Sequence, residues 1–251
     1  MTGLFDLHTH MPQRAAGHQS AQLRAATIAR MDLQGIDHAM VMPLDGLYFD
    51  PPRGNDDVYE VCSSSDGRLV AACTVNPRDP EAEAELDRCA EAGFRALKLH
   101  PWLQGFSPIE PAVVALARRA ARHGMPLLIH DGTPPFGSPM QIGELAALVP
   151  EGTVVLAHGG LMDLWQDAVA AVNRWPNVMV TLCGTAPGAI LRQVLDGVPV
   201  ERVAVGTDTG FGDPDLSLQR LTVLRRLLAD LVPADAAAVR NGNATRWLGL
   251  S

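Results

Sequence analysis

Short apolar runs alternate with amphipathic helical segments along the whole chain, and few folds accommodate such an alternation. Eight apolar runs recur, and most are continuous and contain β-branched residues, as parallel strands buried on both faces do. The runs cover residues 4–8, 38–43, 69–75, 96–100, 126–130, 154–158, 178–182 and 203–207. Eight strand–helix units predict a closed parallel barrel, for which roughly 250 residues is the typical length.

The segments between the runs place apolar residues three and four positions apart, with charged residues between them, which is typical of amphipathic helices. The predicted helices cover residues 21–34, 55–64, 81–92, 111–123, 142–148, 164–175, 189–195 and 218–231, and residues 233–250 are predicted to add a C-terminal helix. An open, doubly wound sheet is the alternative, but no G-x-G-x-x-G follows the first run. We therefore predict an α/β fold: a single (β/α)8 TIM barrel over residues 1–251, one domain, with an added C-terminal helix.

The composition indicates which partners to expect. Hydrophobic residues make up 47% of the chain and charged residues 19%, which is enough apolar surface for a large core. The formal net charge of -8 and the lack of a basic cluster argue against a nucleic acid partner. No apolar stretch approaches the ~20 residues of a membrane span, and no signal peptide is visible, so we expect a cytoplasmic protein with no membrane partner.

The cysteines do not form a recognisable metal motif. No C-x-x-C pair occurs among Cys62, Cys73, Cys89 and Cys183, which argues against a thiolate zinc site. Because cysteine is among the most frequently buried residue types, we expect buried, reduced thiols.

Polar residues that can bind metals lie at the ends of the predicted strands. Four of the eight histidines end a strand and an aspartate follows the last strand: His8, His100, His130, His158 and Asp208. All strands of a barrel open onto one face at their C-terminal ends, so these residues are predicted to meet at a single site.

A closely spaced pair of histidines stands on the first predicted strand. His8 and His10 are separated by one residue, and side chains two positions apart on a strand point the same way. Both imidazoles are therefore predicted to reach one metal ion. Asp6 has the same parity and is predicted to lie one layer deeper, where it could orient a ligand.

Five segments carry a resemblance to a known family. They are Phe5-Asp6-Leu7-His8-Thr9-His10, Leu97-Lys98-Leu99-His100-Pro101, Leu127-Leu128-Ile129-His130, Val155-Leu156-Ala157-His158-Gly159-Gly160 and Val205-Gly206-Thr207-Asp208. In this order they resemble the amidohydrolase superfamily, and more narrowly the amidohydrolase-related branch that includes aminocarboxymuconate-semialdehyde decarboxylase and several sugar and dicarboxylate lactonases. Asn243-Ala244 and Trp247-Leu248-Gly249 resemble the C-terminal helix of that branch, so the resemblance covers nearly the whole chain.

The resemblance implies a role for each strand-end residue. His8, His10, His130 and Asp208 match the metal ligands of the family, and His158 matches a histidine beside the metal-bound water. Asp208 and His158 are thus the implied catalytic residues. Binuclear members use a carbamylated lysine after the fourth strand, whereas here His100 ends that strand, so we interpret the site as mononuclear. Zn²⁺ fits such ligands best, with Mn²⁺, Fe²⁺ and Co²⁺ as alternatives.

Residues of the fourth strand and the segment after it are predicted to line the substrate pocket. They are Lys98, His100 and Trp102, with simple packing as the alternative for His100 and an ordinary loop core as the alternative for Trp102. An inward-facing lysine is costly to bury unless it is paired. Lys98 is therefore expected either to contact a substrate carboxylate or to form a structural salt bridge.

Two reactions suit such a site. A divalent ion lowers the pKa of bound water from about 15.7 toward about 7, so the first prediction is a hydrolase that attacks an amide, lactone or ester carbonyl of a small molecule. The alternative is non-oxidative decarboxylation of an unsaturated or aromatic acid, which needs a cation near the metal. Arg14, Arg53 and Lys98 are candidates. Members of the branch often form dimers, so the resemblance also implies a homodimer as a candidate assembly.

Overall fold

A computed structural model of the chain describes residues 3–11, 19–183, 186–210 and 214–250. It contains eight parallel strands that pair in sequence order. The strands are β1 (Phe5–Met11), β2 (His38–Pro43), β3 (Leu69–Cys73), β4 (Ala96–Leu99), β5 (Leu127–Ile129), β6 (Val154–Leu156), β7 (Val178–Leu182) and β8 (Val203–Val205). Helices follow the strands, which confirms the predicted (β/α)8 barrel.

The helices surround the strands and extend beyond the last one. They are α1 (Ser20–Gln34), α2 (Leu44–Tyr48), α3 (Pro51–Cys62), α4 (Ala82–Ala92), α5 (Pro101–Gln104), α6 (Pro111–Arg122), α7 (Pro139–Leu148), α8 (Trp165–Arg174), α9 (Gly188–Gly197), α10 (Pro214–Ala229), α11 (Pro233–Ala237) and α12 (Asn243–Trp247). A π-helical turn, Ala238–Gly242, joins α11 to α12 and completes the predicted C-terminal helical segment. Among the described helices, none is both long and apolar enough to cross a membrane.

Two one-turn helices, α2 and α5, follow strands directly and were not predicted. They are too short to show a helical period in the sequence. Proline at the first position favours the start of α5, and the His100 side chain accepts a hydrogen bond from the Leu103 backbone amide at its N-terminus. Each of these helices therefore begins where a strand ends, at the face on which the metal ligands were predicted.

The barrel closes between its first and last strands. The Asp208 amide donates to the His8 carbonyl at 2.8 Å, and the His10 amide donates to the Thr209 carbonyl at 2.6 Å. The buried Asp6 carboxylate accepts hydrogen bonds from the Thr207 amide at 2.9 Å and the Thr207 hydroxyl at 2.5 Å. Closure thus depends on backbone pairing and on one buried carboxylate.

The expected position of Asp6 is wrong in one respect. The pairing register of β1 with β2 shifts between Asp6 and Thr9. The alternation of side-chain directions that holds for His8 and His10 therefore does not extend to Asp6. The Asp6 carboxylate accepts from the His8 backbone amide at 3.1 Å. Asp6 therefore holds the main chain of His8. It does not orient the His8 imidazole through a hydrogen bond to the ring.

Apolar side chains form two cores, one inside the barrel and one between strands and helices. The inner core includes Phe5, Leu7, Met40, Leu128 and Ala204, and it also includes Ala244 and Leu248 from the C-terminal segment. The Asn243 side-chain amide donates to the Val203 carbonyl at 2.7 Å. The C-terminal segment therefore packs against the end of the barrel opposite the strand C-termini, which leaves the other end for chemistry.

We predict that Asp6→Ala lowers the free energy of unfolding by about 2–4 kcal/mol, because buried amide and hydroxyl donors lose their acceptor. Urea denaturation followed by circular dichroism would measure the change. Asp32→Ala is the matched control: it removes an exposed carboxylate paired with Arg68, and it should cost less than about 1 kcal/mol. Equal losses for the two variants would contradict the proposed role of Asp6.

Candidate metal centre

Three side chains from β1 and the end of β8 converge on one point. The His8 and His10 Nε2 atoms are 3.2 Å apart. Asp208 Oδ1 lies 3.5 Å from His8 Nε2 and 3.3 Å from His10 Nε2. Ligands placed tetrahedrally around an ion at about 2.1 Å lie about 3.4 Å from one another. The three atoms are therefore spaced as ligands of a single ion would be.

The tautomer of His8 suits metal binding. Its Nδ1 atom lies 3.2 Å from the Ala157 carbonyl oxygen, which can only accept a hydrogen bond. Nδ1 must therefore carry the proton of the neutral ring, and Nε2 presents its lone pair to His10 and Asp208. Burial lowers the pKa of the His8 imidazole well below its usual range, with a further contribution from the positive charge of Lys98. The ring is consequently neutral, as a metal ligand must be.

Three more histidines pack beside this triad. The His158 ring centroid lies 4.8 Å from that of His8, and the His130 ring meets His158 edge-on at 4.5 Å. His100 stacks on His130 at 3.7 Å. Burial lowers the pKa of His130 and of His158 well below the usual range, and the neighbouring imidazoles lower that of His158 further. The rings of His8, His130 and His158 thus lie together at the strand ends in an environment that favours neutral imidazoles.

His130 contacts a loop residue as well as the other rings. Its Nε2 atom is 2.8 Å from the Thr133 hydroxyl. Among the groups of mutually close donor atoms in the described residues, the one with Asp208 contains His8 and His10 and does not contain His130. The assignment of His130 as a ligand therefore stays a prediction from the resemblance.

Asp208 occupies a special backbone conformation and has a cationic partner. Its φ of 57° lies in the left-handed region, which aspartate tolerates better than most residues. Arg220, on α10, places Nη1 3.5 Å from Asp208 Oδ2 and donates from the same atom to the Thr207 carbonyl at 3.1 Å. Arg220 was not predicted as a site residue, because nothing in the local sequence relates a mid-helix arginine to the preceding strand end.

Asp131 is a second residue that the sequence analysis missed. It is fully buried and accepts from the His158 amide at 2.6 Å and the Gly160 amide at 2.5 Å. Burial raises the pKa of its carboxyl group to about 6. Asp131 thus fixes the turn that carries His158. Its place immediately after His130 at a strand end was a usable signal.

A cavity of about 50 Å³ lies against the cluster. Its lining consists of His10, Leu44, Leu47, Lys98, His100, Leu103, His130, His158 and Asp208. The apolar side of this lining comes from α2 and α5. The volume suits an ion with a few substrate atoms and is below the ~300–1,000 Å³ of whole-ligand pockets. A larger cavity of about 440 Å³ lies at the opposite end of the barrel, near His38 and Leu250, away from the imidazole cluster.

The residues predicted to line the pocket differ in their positions relative to the cavity. His100 and Lys98 line the cavity, whereas Trp102 is 55% exposed and its neighbour Leu103 contributes to the lining in its place. Arg53 lies on the exposed surface of α3. Arg14 lies outside the described residues.

Lys98 is unusual in both sequence and structure. It is the only lysine in the chain. Its side chain is fully buried, and within the described part of the chain its Nζ atom has no hydrogen-bond partner. Burial lowers the pKa of the ammonium group to about 8. No described residue forms a salt bridge with Lys98, although the negative charges of Asp208 and Asp131 act to raise its pKa, so contact with a substrate carboxylate stays a prediction.

Comparisons with known proteins agree with this architecture. The amidohydrolase family profile matches residues 5–250. No curated protein sequence matches the chain significantly.

Solved structures of several enzymes share the fold. A dihydroxybenzoic acid decarboxylase from a Polaromonas species, solved with bound manganese and the inhibitor 2-nitroresorcinol, superposes with a TM-score of 0.73 at 15% identity, covering 100% of this chain and 98% of that one. A probable 2-pyrone-4,6-dicarboxylic acid hydrolase from Acinetobacter baumannii gives 0.75 at 15% identity, with 99% and 100% covered. A 4-oxalomesaconate hydratase from Rhodopseudomonas palustris gives 0.74 at 17% identity, with 98% and 95% covered. At these identities the likeness shows the fold alone.

We predict that the His8→Ala/His10→Ala double variant loses bound metal, since two of the three converging donors are removed. Elemental analysis of protein purified with Zn²⁺ or Mn²⁺ would measure the stoichiometry. His123→Gln is the control, because His123 lies on the outer surface beside Asp87. A full equivalent of metal in the double variant would overturn the ligand assignment.

Proposed function

Because the chain belongs to the amidohydrolase family, we propose that it is a metal-dependent hydrolase acting on the amide, lactone or ester carbonyl of a small molecule that carries a carboxylate. The observation that supports this most is the convergence of His8, His10 and Asp208 next to the neutral His158 ring. The substrate reaches this group at the C-terminal face of the barrel, where such enzymes place their chemistry.

The residues present fit a single divalent ion. Two imidazole nitrogens and one carboxylate oxygen lie at ligand spacing, and His130 is proposed as a further ligand. Zn²⁺ is the proposed metal, and Mn²⁺, Fe²⁺ and Co²⁺ suit the same nitrogen and oxygen donors. When bound, the ion would supply Lewis acidity, which lowers the pKa of water from about 15.7 toward about 7 and polarises a carbonyl group.

Asp208 is the proposed proton carrier. Its Oδ1 atom faces the two histidines as a metal ligand would, so Oδ2 is the oxygen that would take a proton from the attacking water and pass it to the leaving group. The Arg220 guanidinium next to Oδ2 keeps the carboxylate turned toward the site. One oxygen of Asp208 would thus bind the ion while the other is available for proton transfer.

His158 is the proposed stabiliser of developing negative charge. A neutral imidazole has one N–H to donate, and a fixed donor in a water-poor site is most valuable where charge appears in the transition state. The hydrogen bond from the His158 backbone amide to the Asp131 carboxylate holds the main chain of His158 in place. The ring therefore needs little rearrangement during the reaction.

Lys98 is the proposed anchor for the substrate carboxylate. Its ammonium lies in the same small cavity as Asp208 and has no partner among the described residues. A carboxylate placed there would offset the cost of burying the charge.

The same position of Lys98 favours decarboxylation as the second candidate. A decarboxylase needs a cation beside the metal to hold the carboxylate that leaves. Of the three cations considered from the sequence, Lys98 is the one that lines the cavity, since Arg53 is exposed and Arg14 lies outside the described residues.

Product analysis separates the two reactions. Wild-type protein loaded with metal would be screened against small lactones, esters, amides and unsaturated or aromatic acids. A new carboxylate without carbon dioxide supports hydrolysis. Release of carbon dioxide in proportion to the substrate consumed would contradict the hydrolase assignment and support decarboxylation.

We predict that His158→Ala keeps its metal and that kcat falls by about 100-fold or more, because the donor for the developing charge is lost. Elemental analysis and steady-state kinetics on a substrate from the screen would measure both quantities. Undiminished turnover would remove His158 from the mechanism, and His123→Gln is the control for the kinetics as well.

We predict that Lys98→Met raises KM for a carboxylate substrate by about tenfold or more and stabilises the fold by about 1–3 kcal/mol. The variant loses the anchor, but it also removes a buried, unpaired charge. Arg53→Gln is the control, with neither quantity changed. Thermal unfolding would give the stability, and a destabilised Lys98→Met variant with normal KM would indicate a purely structural lysine.

A further inference from the structure

We infer that Cys183 provides a sulfur donor beside the metal centre, so that the chain offers a second, thiol-containing position for a soft divalent ion. This position overlaps the first at His8. The sequence had indicated only a buried, reduced thiol at residue 183, so the inference changes the expected role of this cysteine. It depends on the metal centre but not on which reaction the centre catalyses.

The geometry places three donors together. Cys183 directly follows β7 and is 1% exposed. The Cys183 Sγ atom and one ring nitrogen each of His8 and His158 all lie within 4.8 Å of one another. The triad of His8, His10 and Asp208 satisfies the same distance limit. The chain thus presents two donor groups that share His8.

His158 supplies the observation that points to a ligand. Its side chain is buried, with the residue only 5% exposed, and its Nδ1 atom has no hydrogen-bond partner among the described residues. A buried ring nitrogen without a partner loses hydration and gains nothing in return. A metal ion between His158 and Cys183 would satisfy it.

Gly206 allows β8 to approach this group. A Cβ atom at Gly206 would lie 2.7 Å from the His8 Cβ atom and 3.2 Å from Cys183 Sγ. Any side chain there would push the histidine and the thiol away from their positions. The absence of a side chain therefore keeps both donors close.

The donor types select for soft ions. Thiolate and imidazole together suit Cd²⁺ and Cu⁺, whereas Mn²⁺ prefers carboxylate oxygens. On binding, the S–H bond breaks, a sulfur–metal bond forms and the proton passes to solvent. Modest side-chain rotation would bring the sulfur and nitrogen atoms to the ~3.6 Å separation of a tetrahedral site.

Sharing of His8 makes the two positions compete. An ion held by Cys183 and His158 takes His8 from the group that contains Asp208. Cd²⁺ and Cu⁺ would therefore be drawn away from the carboxylate, while Mn²⁺ would stay on it. The protein would thus bind Mn²⁺ and Cd²⁺ through different residues.

X-ray absorption spectroscopy of metal-free protein loaded with one equivalent of Cd²⁺ tests this directly. We expect a sulfur neighbour in the wild type, together with an ultraviolet thiolate-to-cadmium charge-transfer band. Cys183→Ser should lose both signals and bind Cd²⁺ at least about tenfold more weakly, with Mn²⁺ affinity unchanged. Cys62→Ser, which removes another buried thiol, should keep both signals.

Two further variants keep the test decisive. His10 belongs only to the donor group that contains Asp208. The His10→Ala variant should therefore weaken Mn²⁺ binding and retain the cadmium–sulfur signal. His158→Gln should weaken Cd²⁺ binding, and it substitutes for Cys183→Ser if the latter does not fold. A wild type without a sulfur neighbour, a Cys183→Ser variant that keeps the band, or unchanged Cd²⁺ affinity in His158→Gln would overturn the inference. None of these readouts requires turnover, so a failed hydrolase assignment would leave them intact.

Discussion

The contact between β1 and β8 holds the candidate site together. Two of the proposed metal ligands, His8 and His10, stand on the first strand and the third, Asp208, follows the last strand, so these groups meet only if the barrel closes. Backbone hydrogen bonds from the Asp208 and His10 amides close the barrel. The buried Asp6 carboxylate stabilises the closure because it accepts hydrogen bonds from the Thr207 and His8 amides. The same bonds that complete the fold therefore set the distances between the proposed ligands.

Much of the fold was predictable because parallel strands that are buried on both faces have continuous apolar sequences. All eight strands appear where those runs predict them, and the long helices follow their apolar spacing. The one-turn helices α2 and α5 were not predictable, since four or five residues carry no period. Asp6 shows another limit: alternation predicts which way a side chain points only while the register holds, and here it shifts within β1.

The site was predictable to the extent that its residues lie at strand ends. His8, His10 and Asp208 come together as that placement implies, and His130, His158, His100 and Lys98 line the same cavity. Arg220 was not predicted because its contact with Asp208 arises from packing between distant elements, whereas Asp131 was missed although it directly follows His130 at a strand end. Trp102 is 55% exposed and is not part of the cavity lining, so its place in a substrate pocket stays a prediction.

The cavity wall has an origin separate from the proposed metal ligands. Its apolar side comes from Leu44 and Leu47 of α2 and Leu103 of α5, while the donors come from strand ends. Neither of these two short helices contributes a proposed metal ligand, so their pocket-lining residues can change without removing a ligand. Substrate range and metal chemistry could therefore diverge independently in related proteins. An engineer could likewise reshape the pocket through α2 and α5 while leaving the catalytic apparatus untouched.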